Sequence, residues 1–249
     1  MPEPASTAGG VVSMSRQPGE RWSRFAGRIA NAFGLVLLLV LATYVAASLT
    51  TDRGWSGVLI AVLASASATV ALTTAEALPR LVRGAIVLSI VAVALAFLAD
   101  VTGTPSLLGV SSLIQTLLLL VAGLAVLRAV VTERQVGFRT ILGAVSVYVI
   151  LALLFTFWYV AIDRLQSGPF FAGDPKLGTG DYVFFSLTTL TTTGYGNLVP
   201  AAQPGKVVAG IEMLIGQIFL VTLIARLVSL WQPGAWGRLR EREQRRGKA

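Results

Sequence analysis

Apolar residues in this chain come in long blocks, separated by short stretches where charge, Gly and Pro collect. A hydrocarbon core about 30 Å thick takes roughly 20 residues of helix to cross. Six blocks approach that length, near 31–50, 56–78, 84–100, 107–131, 140–162 and 205–231. The second is diluted by Ser65, Ser67, Thr69, Thr73 and Thr74. Hydroxyls bond back to their own helix and small residues let helices approach closely, so this block is still expected to span. The third is short and predicts a crossing with little tilt. The pattern predicts an all-α membrane protein with six transmembrane helices. Its expected parts are a disordered, basic cytoplasmic segment over 1–30, a four-helix transmembrane domain over 31–131, a second membrane unit over 132–231 and a basic cytoplasmic tail over 232–249.

The stretch between the fifth and sixth blocks, 163–204, does not behave as a simple loop. It opens polar (Asp163, Arg164, Gln166, Ser167) and passes through Gly168-Pro169 and Asp174-Pro175. It then becomes apolar and hydroxyl-rich from Tyr182 to Leu190. That run is too short to cross, and its length suits a helix that enters the membrane and turns back. Asp181 is the expected N-cap. The Gly-rich backbone that follows would be unsatisfied against lipid, so it must be buried in protein or line a water-filled path.

Composition narrows the chemistry. The chain of 249 residues is 55% hydrophobic and only 13% charged, which favours a membrane class independently of the block lengths. There is no Cys, which rules out disulfides and thiolate metal sites, and no His, which removes the commonest metal ligand and general base. An enzyme is not expected, and no cofactor is implied. The net charge of +8 invites nucleic acid or acidic lipid as a partner. With both termini placed in the cytoplasm, however, sixteen of the twenty Lys and Arg fall on the inner side, and only Arg53, Arg164, Lys176 and Lys206 lie outside. The charge therefore reads as positive-inside topology in a multi-pass protein of the cell membrane, with membrane lipids and no nucleic acid as partners. Residues 1 to about 20 read as disordered, and no secretory signal precedes the first block.

The segment Thr191-Thr192-Thr193-Gly194-Tyr195-Gly196-Asn197 follows the short apolar run. It resembles the signature of the potassium channel superfamily, commonly Thr-Val-Gly-Tyr-Gly-Asp. The resemblance extends through a helix, re-entrant loop and helix over about 140–231, making 132–231 the expected pore domain. The first four helices match that family only in number. The resemblance implies a selectivity filter at Thr192, Thr193, Gly194, Tyr195 and Gly196. Potassium would be held by the carbonyls of Thr192 to Tyr195, with the Thr192 hydroxyl as innermost ring. It implies a gating hinge at Gly216, and helical spacing from there places Gln217, Leu220 and Ile224 on the cavity side. A dehydrating ion needs rings of carbonyls in place of water, and aiming successive carbonyls at one axis asks for glycine at 194 and 196. Tyr195 is expected to pack against Phe184 and Phe185, bracing the filter. One strand per chain encloses nothing, so four copies must surround one axis as a homotetramer.

Three departures concern the filter's support. Thr193 replaces the usual Val or Ile, Asn197 replaces the Asp that often follows, and Thr188 stands where some members carry a pore-helix Glu. Both ends of that carboxylate bridge are missing, which keeps a weakly selective monovalent cation channel as the alternative. Glu212 is the one acid well inside a span, and an intramembrane carboxylate is costly. It is expected to be buried behind the filter, bonded to pore-helix hydroxyls. Arg226 is expected to turn away from the ion path toward lipid headgroups. The fourth block carries one basic residue, Arg128. A voltage sensor needs several, because each charge moved yields only about 2.3 kcal/mol per 100 mV.

Overall fold

The computed structural model describes residues 19–49, 55–133, 137–173 and 177–230. The tail over 232–249 and residues 1–18 lie outside them, whereas 19–30, expected to be disordered, are helical. Among the described residues the protein is all helix: α1 (Gly19–Leu49), α2 (Ser56–Thr74), α3 (Pro79–Thr102), α4 (Pro105–Thr132), α5 (Phe138–Leu165), α6 (Thr179–Leu190) and α7 (Gln203–Leu230). It is an all-α membrane protein. Five of these helices, α2, α3, α4, α5 and α7, are long and apolar enough to cross a membrane. The first expected span lies in α1, a helix of 31 residues whose apolar part is Phe33–Leu49. It starts at Gly19, well before the expected boundary near residue 30.

Local signals set the ends. Pro79 and Pro105 open α3 and α4 at the first helical turn, where a missing N–H costs nothing. Gly103, with φ +65°, closes α3 in the left-handed conformation. Helix α2 stops at Thr74, four residues short of the expected end. Glu76 takes φ +53° there, the Ala77 N–H bonds to Leu72 O at 3.1 Å and the Glu76 N–H to Thr73 O at 3.2 Å. That is a Schellman ending built on a glutamate instead of the usual glycine. Helix α3 is not short. Arg80 and Arg83 belong to its first turns, and its 24 residues reach about 36 Å at 1.5 Å per residue.

The hydroxyl-rich α2 is the centre of the first four helices, touching α1, α3 and α4. Its Ala61, Ala64, Ser65, Ser67, Ala68 and Ala71 are buried at those seams. Thr43 meets Ser67 at 3.1 Å, and the Gln115 amide of α4 donates to Ala61 O at 3.0 Å and Ser65 Oγ at 2.9 Å. Two of the residues that weaken this block as an apolar segment, Ser65 and Ser67, therefore help to pack it, while Thr69 and Thr73 bond back to their own helix. Helix α5 joins the two halves, lying against α4 and α1 on one side and α6 and α7 on the other. Helices α3 and α7 stay the most open in the single chain, with Ile90, Phe97 and Val101 exposed on α3 and Leu214, Ile218 and Val228 exposed on α7.

Candidate functional site: the pore helix and the loop that follows it

Helix α6 has 12 residues, too few to cross. It begins at Thr179, three residues earlier than expected, so Asp181 is not the N-cap. It sits in the first turn, and its carboxylate accepts the Gly178 N–H at 2.9 Å. Gly180 faces the carbonyls of α1, where an added Cβ would lie a tight 3.0 Å from Ser48 O.

After Leu190 the chain leaves the helix but stays bonded to it. The N–H groups of Thr193 and Gly194 both donate to Thr188 O, at 2.8 and 3.1 Å, and the Thr192 N–H donates to Thr189 O at 3.0 Å. Backbone torsions then alternate: φ is +57° at Thr192, +54° at Gly194 and +78° at Gly196. Alternation of left-handed and ordinary backbone departs from both helix and β-strand, in which φ stays negative throughout. Glycine takes this conformation freely; Thr192 takes it at a cost of about 1–2 kcal/mol. Within the single chain nothing lies within 4 Å of a Cβ built on Gly194 or Gly196, and their positive φ is what asks for glycine there.

The hydroxyls settle the question raised by Thr193. Thr191 Oγ1 donates to Leu187 O at 2.7 Å, so its only proton is taken. Thr193 Oγ1, 2.8 Å away, is then the donor to Thr191 Oγ1. The side chain that replaces Val thus ties the loop to the last turn of α6. Phe184 stacks on Tyr195 with ring centroids 5.7 Å apart, as expected. Phe185 does not join them. One position along a helix is a rotation of about 100°, and Phe185 points into a cluster with Tyr159, Phe170 and Phe171. Asn197 is exposed. Beyond it, Pro200 forms a bridge with Phe171, and the Ala172 and Ala201 N–H groups each donate across it at 2.8 Å.

Helix α7 backs this assembly along one stripe. Val208, Ala209 and Glu212 are buried on it, with Phe219 and Leu223 partly so. Glu212 has no exposed surface; Tyr159 of α5 donates to its Oε2, and Ser186 of α6 lies 2.5 Å from its Oε1. One turn on, Gly216 passes the end of α6 so closely that a Cβ would lie 2.5 Å from Leu190 O. Tyr148 donates to the same oxygen at 3.3 Å and stacks on Phe219. Gln217, Leu220 and Ile224 lie off this stripe and are exposed in the single chain. Arg226 is held by protein: its Nη2 donates to Val131 O at 2.8 Å and Glu133 O at 2.9 Å, at the end of α4. Nothing in the local sequence around Tyr148, Tyr159 or Ser186 marks them as partners of this site.

Residues 145–232 match the ion channel family. The matched stretch runs from within α5 through α6 and the alternating loop to the end of α7, the elements that build the site. A relative, potassium voltage-gated channel protein shk-1 of Caenorhabditis elegans, is 37% identical over 82 residues. That alignment takes in 31% of this chain and spans 15% of the relative's length. Both matches support the resemblance to the potassium channel superfamily.

Proposed function

We propose that this chain is one subunit of a homotetrameric, potassium-selective channel whose filter is Thr192–Gly196. The observation that carries the reading is the alternation of left-handed backbone at Thr192, Gly194 and Gly196, placed directly after a helix too short to span. Four such strands around one axis would present the rings of carbonyl oxygen that replace an ion's water. The open surface of α7 and the exposure of residues 191–197 in the single chain are what a pore completed by three further copies requires. Both termini lie in the cytoplasm, as the distribution of Lys and Arg favours. Voltage does not drive opening through the first four helices, because α4 carries only Arg128.

The test is potassium flux into liposomes holding the purified protein, with bi-ionic reversal potentials in potassium against sodium and the mass of the assembly in detergent. Flux with a reversal potential strongly favouring potassium, from a particle of four chains, is expected. Equal permeation of the two ions points to a weakly selective cation channel. No flux across a range of pH, voltage and lipid overturns the reading.

A further inference from the structure

The oxygens behind the pore helix allow their protons to be counted. Tyr159 Oη contacts Glu212 Oε2. Ser186 Oγ lies 2.5 Å from Glu212 Oε1 and 2.7 Å from Ala152 O. These are three short oxygen–oxygen contacts, and each needs a proton between its two atoms. A phenol and a serine hydroxyl bring one proton apiece, whereas a backbone carbonyl and a carboxylate bring none. With Glu212 ionised, two protons serve three contacts, and one pair of lone pairs faces another at contact distance. A proton on Oε1 completes the set. Tyr159 then donates to Oε2, Glu212 donates to Ser186 Oγ, and Ser186 donates to Ala152 O. The setting agrees, since Tyr159, Ser186 and Glu212 are all buried without exposed surface. An unpaired anion at such a place is costly.

We propose that Glu212 is held as a neutral carboxylic acid, a hydrogen-bond donor in a relay from Tyr159 through Ser186 to Ala152 that positions the pore helix between α5 and α7. The proposal deepens the channel reading and rests on it for its effect on flux. The titratable groups that face Glu212 are the phenols of Tyr159 and Tyr148, both on α5. From α6 it meets the Ser186 hydroxyl. Removing the carboxyl proton turns the Ser186 contact from a bond into a repulsion.

Infrared spectra of the full chain in lipid at neutral pH test the proton directly, whether or not the protein conducts. A carboxylic-acid C=O band that shifts in heavy water and vanishes in Glu212→Gln is expected; wild type with no such band overturns the proposal. Flux supplies a second readout. The amide of Glu212→Gln offers an N–H where the acid offers an O–H, so this variant should conduct several-fold better than Glu212→Leu. An intact Glu212→Gln tetramer as poor as Glu212→Leu would mean that the site needs an anion, and would also overturn it. Absence of flux from wild type itself strikes at the channel reading, and the infrared band still decides the proton.

Discussion

Replacing Gly216 by alanine puts a methyl group where α7 runs closest to the pore helix. The new Cβ would lie 2.5 Å from Leu190 O, 2.8 Å from Leu190 Cδ1 and 3.2 Å from Leu190 C. The leucine side chain can rotate away, but the carbonyl cannot, because it ends α6 and accepts from Tyr148. A carbon–oxygen contact relaxes near 3.3 Å, so the helices must part by roughly 0.8 Å. Overpacking of this kind costs about 1–3 kcal/mol, and a tetramer meets it four times. The displacement falls on Leu190, and Thr191 and the filter follow at once. Gly216→Ala is therefore expected to lower the melting temperature of the tetramer and to weaken potassium selectivity. A gating hinge predicts otherwise: alanine would stiffen α7, change open probability and leave stability and selectivity alone. Gly84→Ala is the control, since that glycine lies on the exposed side of α3 with nothing within 4 Å of an added Cβ. Alanine there should stabilise by up to about 1 kcal/mol. If Gly216→Ala melts like Gly84→Ala and keeps wild-type reversal potentials, the packing argument is refuted.

Other outcomes follow from the same geometry. Gly194→Ala, at φ +54°, should cut potassium flux in liposomes to near background, whereas Thr192→Ala should be milder because every carbonyl remains; a Gly194→Ala tetramer conducting as wild type does would remove the filter assignment. Arg128→Gln should leave the current–voltage relation unchanged, and a steep activation curve abolished by it would restore voltage sensing to α4. Arg226→Gln should loosen the inner end of α7 from α4 by about 1 kcal/mol, read as faster hydrogen exchange over the last turns of α7; unchanged exchange counts against the contact.

Much of the architecture is legible in the sequence because lipid imposes length. Each expected span coincides with one helix, the second ending four residues early, and the short run before the glycines is a short helix. The glycines at 194 and 196 announce positive φ, and both have it. What escapes is whatever depends on which face of a helix meets which neighbour. Asp181 looks like a cap because nothing local reveals that Gly180 lies against α1. Phe184 and Phe185 look equivalent, yet only one can reach Tyr195. Arg226 reads as a lipid-facing cation because the carbonyls that hold it sit more than ninety residues earlier in the chain. Glu212 is conspicuous as an acid in a span, but Tyr159 and Ser186 are ordinary residues of apolar helices until the three are brought together.

The two ends of the carboxylate bridge common among potassium channels are Thr188 and Asn197 here, yet the loop is well attached. Its attachments come from the pore-helix side: two N–H groups on Thr188 O, the Thr193–Thr191–Leu187 hydroxyl chain and the Phe184–Tyr195 stack. None reaches the outer mouth, so charge at Asn197 matters less to the shape of this filter than the position of α6 does. That position is set by α7 at two points, Glu212 against Ser186 and Gly216 against Leu190, one helical turn apart on a single face. A rotation of α7 about its axis cannot move one contact and spare the other. On the proposed channel reading, movement of α7 would therefore reach the loop at 192–196 through the back of α6.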